Sequence, residues 1–306
     1  MNSAITETTD GNGIGKNSPA TRSVWGIGLA VPILALALRD SLAPWVWMWV
    51  MALALFVAAK CITVSRCLVS NGNIHPGRLL AYCLLWPGMD IAPFCTRSSA
   101  IEVTICEWVF ATAKTIFGAL LVWGAVPRLS LHHPLLSGWT GMIGLVFILH
   151  FGFFHLLSLL CRALGFNTRP IMSSPGTATS LSRFWGSSWN KAFSDLVHEQ
   201  LFKPLAKPLG ARRALFTVFL VSGLLHELVI SLPARGGYGL PTAYFVIQSL
   251  GLLFERSRWG RAIGLSSGWK GWWFVLVIAG VPAFWLFHPV FIRNVILPML
   301  HSIGAT

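Results

Sequence analysis

Charged residues are scarce in this chain. Of 306 residues only 11% are Asp, Glu, Lys or Arg, while 55% are hydrophobic. Soluble domains carry about 25% charged residues, so this composition excludes a water-facing surface around a body of this size. Acidic residues are scarcer still, 10 against 23 Lys and Arg, giving a formal net charge of +13. That excess would suit nucleic acid if the basic residues formed a soluble patch. They lie instead in short loops between apolar blocks, the pattern of membrane orientation. No Cys-x-x-Cys pair exists. Cys61, Cys67, Cys83, Cys95, Cys106 and Cys161 stand apart, mostly in or beside apolar blocks, which reads as buried free thiols rather than a metal site or a disulfide framework. No internal repeat of the kind many transporters show is visible. Residues 1–23 lack the basic start and cleavage pattern of a signal peptide. They are polar and read as a flexible tail before one membrane-embedded domain over 24–306. Within the tail, "GNGIGK" (Gly11 to Lys16) has neither the spacing nor the preceding strand of a phosphate loop.

What the chain has in abundance is long apolar runs, enough to cross a hydrocarbon core about 30 Å thick. Helices satisfy their own backbone hydrogen bonds in lipid. The expected fold is therefore all-α, a polytopic integral membrane bundle of about seven to nine membrane helices plus an interfacial amphipathic helix. The spans read as Val24–Leu38, Trp45–Ala59 with Lys60 and Arg66 after it, Glu102–Val126, Leu136–Leu164, Ala214–Leu232, Pro241–Phe254 and Trp272–Phe287. His288-Pro289 then breaks the chain, and Phe291–Leu300 is a short crossing or an interfacial helix. Arg78–Phe94 is apolar but broken by Pro87-Gly88 and Asp90, so it is re-entrant or interfacial. The loop over 162–213 carries Arg162, Arg169, Arg183, Lys191, Lys203, Lys207, Arg212 and Arg213, and 256–270 carries Arg256, Arg258, Arg261 and Lys270. The loop between them has only Arg235. The positive-inside rule makes the first two cytosolic. The membrane is the endoplasmic reticulum in a eukaryote or the inner membrane in a bacterium.

Inside the basic loop, Leu181, Trp185, Trp189, Phe193 and Val197 recur every four residues. That is the stripe of a helix lying in the membrane interface, ended by breakers at Pro204 and Pro208-Leu209-Gly210. In the next span, His226 lies about 20 Å along the axis from Arg213, past mid-bilayer. An ionisable residue at that depth faces the bundle interior or a wet cavity and is a functional candidate. The structural alternative is a neutral imidazole satisfied by a backbone carbonyl or by Ser222. Small Ser222 and Gly223, one turn earlier, permit close approach of another helix or a ligand. His226-Glu227 begins a His-Glu-x-x-His zinc pattern, but Ile230 stands where the second histidine belongs.

"SLSRFWGSSWN" (Ser180 to Asn190) followed by "FLVSGLLHE" (Phe219 to Glu227) resembles the wax synthase branch of the membrane-bound O-acyltransferases. Phe184, Trp185, Gly186, Trp189 and Asn190 fit that branch's Phe-Trp-Gly-x-x-Trp-Asn block. Ser222, Gly223, His226 and Glu227 fit its Ser-Gly-x-x-His-Glu block. Ser187 and Ser188 stand where the sterol and diacylglycerol acyltransferases carry Asp and Trp, which favours the wax synthase branch. The paired motifs cover about 50 residues, in the right order.

The resemblance implies transfer of a fatty acyl group from acyl-coenzyme A, a co-substrate, to the hydroxyl of a lipophilic alcohol, with no cofactor and no metal. A histidine, with a reference pKa near 6.5, can take the hydroxyl proton at neutral pH. His226 is the candidate general base. Asn190 either donates to the thioester oxygen or holds the acceptor or His226 in place. Candidate substrate contacts are Trp189, Trp185, Phe184, Ser222 and Lys191, and cytosolic Lys191, Lys203, Lys207, Arg212 and Arg213 face either coenzyme A phosphates or lipid headgroups. Glu227, about 100° around the helix from His226, reads as a structural partner. The acceptor stays open among a fatty alcohol, a sterol, a glyceride and a specialised metabolite, and so does the oligomeric state. The rival from another class is a transporter with His226, Glu107 and Lys114 as relay residues. "HHPLLSG" (His132 to Gly138) lacks the Asp of the HHxxxDG motif of soluble-type wax ester synthases, and "GLSSG" (Gly264 to Gly268) lacks the strand a nucleophile elbow needs.

Overall fold

The computed structural model describes residues 19–70, 74–96, 102–129 and 133–306. The tail segment with Gly11 to Lys16, and His132, lie outside the described residues. The described residues form helices and connecting turns with no strand. In chain order the helices that matter here are α1 (Pro19–Ala37), α2 (Pro44–Ser70), α3 (Pro76–Leu85), α4 (Ile91–Cys95), α5 (Ile105–Leu129), α6 (Pro134–Ala163), α7 (residues 181–188), α8 (residues 191–209), α9 (Ala211–Ala234), α10 (Leu240–Glu255), α11 (Arg258–Ala262), α12 (Gly268–Leu286) and α13 (residues 289–302). Among the described residues α2, α5, α6, α9 and α12 are long and apolar enough to cross a membrane, and α1 and α10 are shorter apolar helices. Large apolar side chains cover the outside: Ile105 is 81% exposed, Leu84 73% and Trp269 71%. A soluble monomer does not leave so much apolar surface in water. The chain is an all-α membrane bundle.

Helix pairs follow the chain: α1 lies along α2, α5 against α6, and α9 along α10. The main core gathers Val122, Met142, Leu181, Phe219, Tyr244, Phe245 and Ile292, so α7 is packed into the bundle by its first residue. The α5 start is a capping box: the Glu107 amide donates to Thr104 Oγ1 and the Thr104 amide donates to the Glu107 carboxylate.

Several expectations change. α1 begins at Pro19, within the stretch read as tail. α2 does not stop before Lys60 but runs through Arg66. Lys60 is buried, and its Nζ donates to the Gly88 carbonyl at 2.6 Å and the Tyr82 carbonyl at 3.2 Å. The break expected at Pro87-Gly88 supplies the free carbonyls that make this cation tolerable. Arg162 is not a loop residue: it ends α6, is buried, and pairs with Glu107 at 2.7 Å. Pro204 does not break α8. The wide turn at His198–Phe202 precedes it, and Arg66 donates to the Glu199 carbonyl at 3.2 Å and to the Gln200 side chain. Of the expected breakers it is Gly210, at φ 76°, that ends α8.

Candidate functional site

The second motif block sits on unbroken helix, and each of its polar residues has a definite partner. Ser222 is buried and its hydroxyl donates to the Val218 carbonyl at 2.9 Å, one turn back. It is turned toward its own helix. Its carbonyl, 2.7 Å from His226 Nδ1, can only accept, so Nδ1 carries the ring proton. Nε2 therefore keeps its lone pair and makes no hydrogen bond among the described residues. The imidazole lies against the Phe245 ring of α10 at 4.5 Å.

Gly223 and Glu227 bring α10 to that position. A Cβ on Gly223 would stand 2.8 Å from the Thr242 Cα, so a glycine is required for α9 and α10 to touch. One turn later, Glu227 Oε1 accepts from the Gly239 amide at 3.1 Å, the Thr242 amide at 3.1 Å and the Thr242 hydroxyl at 2.9 Å. The carboxylate caps the free amides at the start of α10. Its direction diverges from that of His226, as the helical wheel requires.

The first block is built differently. The interfacial helix expected to run unbroken from Leu181 past Val197 is interrupted between α7 and α8. Trp189 is extended and Asn190 is left-handed at φ 42°, ψ 63°. The break is pinned by a neighbouring stretch of chain: the Ser173 amide donates to the Ser188 carbonyl and the Lys191 amide to the Ile171 carbonyl, both at 2.9 Å. Asn tolerates the left-handed region better than most residues, and here its Oδ1 also caps α8 by accepting from the Phe193 amide at 3.2 Å. With Oδ1 so engaged, Nδ2 is the free donor, and it has no partner among the described residues.

Phe184, Trp185 and Trp189 form a run of rings toward the histidine. Phe184 stacks on Trp189 at 5.8 Å and meets Trp185 edge-on at 5.0 Å. Trp185 packs on Phe219 and on Phe245, each at 5.7 Å. Phe245 then bears His226. The two blocks are joined through this aromatic path and through α10. No hydrogen bond or ring contact among the described residues links Asn190 to His226 directly. Lys191 forms an ion pair with Asp195 at 2.7 Å and lines a cavity of about 480 Å³ with Asp90, Arg169 and His198. Burial pushes the Asp90 carboxyl up, nearby Asp195 adds to this, and Lys191 and Arg169 oppose it. Lys203 pairs with Glu199, while Lys207, Arg212 and Arg213 are exposed around Gly210. The relay residues of the transporter reading are engaged elsewhere: Glu107 pairs with Arg162, and Lys114 lies 2.8 Å from His155 Nδ1.

Two residues of α10 escaped the sequence reading. Gln248 is fully buried, accepts from Trp185 Nε1 at 3.2 Å and donates to the Ile278 carbonyl at 2.7 Å. Glu255 is buried, and its carboxylate accepts from the Leu181 amide, the Ser182 amide and the Ser182 hydroxyl at the start of α7. A glutamine inside an apolar span was the available signal. Nothing local distinguished Glu255 from the basic stretch that follows it.

Residues 168–247 match the Membrane bound O-acyl transferase family. This interval holds both motif blocks. The resemblance to the wax synthase-like branch of the membrane-bound O-acyltransferases stands. Among curated relatives, a probable long-chain-alcohol O-fatty-acyltransferase 2 of Arabidopsis thaliana is 32% identical over 154 residues, covering 45% of this chain and 43% of its own. The long-chain-alcohol O-fatty-acyltransferase of Simmondsia chinensis is 29% identical over 156 residues, covering 45% and 42%. A probable long-chain-alcohol O-fatty-acyltransferase 3 of Arabidopsis thaliana is 28% identical over 214 residues, covering 64% and 60%. The chain thus spans less than half the length of the first two relatives.

Proposed function

We propose that the protein is a membrane O-acyltransferase that moves a fatty acyl group from acyl-coenzyme A to the hydroxyl of a lipophilic alcohol, forming an ester. The observation that carries this reading is the 2.7 Å contact between His226 Nδ1 and the Ser222 carbonyl. With Nδ1–H held by the Ser222 carbonyl, the free Nε2 lone pair is oriented on an intramembrane helix, beside an aromatic wall. The similarity to long-chain-alcohol O-fatty-acyltransferases supplies the substrate class.

His226 Nε2 takes the proton of the acceptor hydroxyl as its oxygen attacks the thioester carbon. The carbonyl oxygen becomes an oxyanion, and Asn190 Nδ2–H donates to it. The C–S bond then breaks, the carbonyl reforms as an ester, and the coenzyme A thiolate takes the proton back from Nε2. No acyl-enzyme forms. Trp189, Trp185 and Phe184 line the acyl path, and Ser222 acts through its carbonyl on His226. Lys191, on the wall of the 480 Å³ cavity, with exposed Lys207, Arg212 and Arg213, receives the donor's phosphates. The 162–213 and 256–270 segments face the cytosol.

Expression in a host lacking neutral-lipid synthesis, followed by lipid analysis, tests the reading and identifies the acceptor. New esters of a long-chain alcohol support it. The absence of any new ester, with long-chain alcohols, sterols and glycerides all supplied, contradicts it.

A further inference from the structure

α10 touches both motif blocks from one face. Thr242, Phe245, Gln248, Leu252 and Glu255 follow one another three or four residues apart, the spacing of a single helical stripe. Thr242 is held by Glu227, and Phe245 lies on His226. Gln248 is bonded to Trp185, and Glu255 takes three donors from Leu181 and Ser182. The Glu227 carboxylate and the start of α7 are thus fastened to opposite ends of one helix, about 20 Å apart at 1.5 Å per residue, while Trp185 meets it between them, at Gln248 and Phe245. Gln248 and Glu255 lie beyond residues 168–247, outside the family match.

We infer that Gln248 and Glu255 are positioning residues of the acyl-transfer site. Through them α10 sets where the Phe184–Asn190 block stands relative to His226. This rests on the acyl-transfer reading above. Gln248 is suited to the task because both ends of its amide are engaged. Its Nε2–H₂ is anchored to the Ile278 carbonyl of α12, which orients Oε1 toward the indole N–H of Trp185. The indole in turn presses on Phe245, the ring that backs His226. Glu255 works at the other end. A fully buried carboxylate capping the α7 amides fixes the start of the short helix whose last turn leads into Trp189 and Asn190. Apolar residues at either position would bury the stripe equally well, so packing alone does not account for the two polar side chains.

The test combines kinetics with amide exchange, using the full chain in membranes or detergent. Gln248→Leu, or Gln248→Met if the first accumulates poorly, leaves the Trp185 N–H unpaired and lowers kcat about tenfold with little change in KM. If Gln248 acts through Trp185, the Trp185→Phe/Gln248→Leu double variant is no slower than the slower single variant. Glu255→Ala raises amide exchange about tenfold in the 181–190 peptide while leaving α2 and α5 peptides unchanged, and Glu255→Gln restores most of the protection. A wild-type kcat in Gln248→Leu, or fully additive losses in the double variant, overturns the inference while leaving the acyl-transfer reading intact. So does exchange in Glu255→Ala that is unchanged at 181–190 or raised everywhere. If the wild type makes no ester, the acyl-transfer reading fails. The exchange arm then decides whether α10 fixes the 181–190 segment.

Discussion

On α9, residues one turn away and the adjoining start of α10 fix the motif: Ser222 orients His226, Gly223 admits Thr242, and Glu227 caps Gly239 and Thr242. Between α7 and α8, residues remote in sequence do it: Ile171, Ser173, Gln248 and Glu255 hold the Phe184–Asn190 segment. The α9 block lies on a continuous helix that widens into a π turn at Glu227. The Asn190 block adds to its local cap hydrogen bonds from residues distant in sequence at both of its ends. Such a design puts the base on a stiff element and the second polar group on a joint that α10 must hold. Substitutions on α9 are therefore expected to separate chemistry from folding cleanly, and those around Asn190 to mix the two.

The largest effect is expected at the base. His226→Ala removes the proton acceptor and lowers ester formation about 10²- to 10⁴-fold, with amounts of folded protein unchanged in detergent size-exclusion chromatography. Next comes Asn190, where the structure dictates which variant to choose. Asn190→Asp keeps an oxygen to cap α8 but loses the Nδ2–H donor, so kcat falls about 10²-fold at near-constant Tm. Asn190→Ala loses the cap as well and costs about 1 kcal/mol of stability besides. Equal Tm in both variants would refute the capping role.

The scaffold residues come third. Gly223→Ala places a methyl against the Thr242 backbone and destabilises by about 1–3 kcal/mol. Glu227→Ala strands the α10 amides and lowers stability by roughly 1–2 kcal/mol, whereas Glu227→Gln retains an acceptor and stays close to wild type in both Tm and kcat. A Glu227→Gln variant as inactive as His226→Ala would give Glu227 a chemical role that the geometry does not.

The smallest effect concerns Asp90. Its folded-state carboxyl is raised by burial and by Asp195, so the folded protein binds this proton more tightly than the unfolded chain. The stability this contributes is present at low pH and fades as pH rises from the ordinary carboxylate range through the raised value. Asp90→Asn should flatten that slope in Tm against pH, and an unchanged slope would count against it.

How much was legible beforehand follows the same division. The span Ala214–Leu232, the close approach that Gly223 permits, the structural part of Glu227 and the break at Pro87-Gly88 could be read from the sequence, because residue type, helical spacing and local breakers carry each of them. The Asn190 joint could not. An apolar stripe repeating every four residues from Leu181 to Val197 favours one continuous helix, and the 171–173 stretch, beside it in space, supplies the partners that stop it. Lys60 looked like the end of a span because a lysine in lipid is costly. The carbonyls of Tyr82 and Gly88 that receive it lie in another helix and its broken end. Glu255 has no local signal either, because its partners are the amides of α7, more than 70 residues earlier in the chain.

The central claim, an acyl transfer with His226 Nε2 as base and Asn190 as hydrogen-bond donor, is tested most directly by one assay. Membranes containing wild type, His226→Ala or Asn190→Asp are given labelled acyl-coenzyme A and a long-chain alcohol, and the labelled ester is measured against folded protein. The account predicts ester from the wild type, a loss of about 10²-fold or more in both variants, and no labelled acyl group left on the protein. A His226→Ala variant that forms ester at the wild-type rate would contradict it.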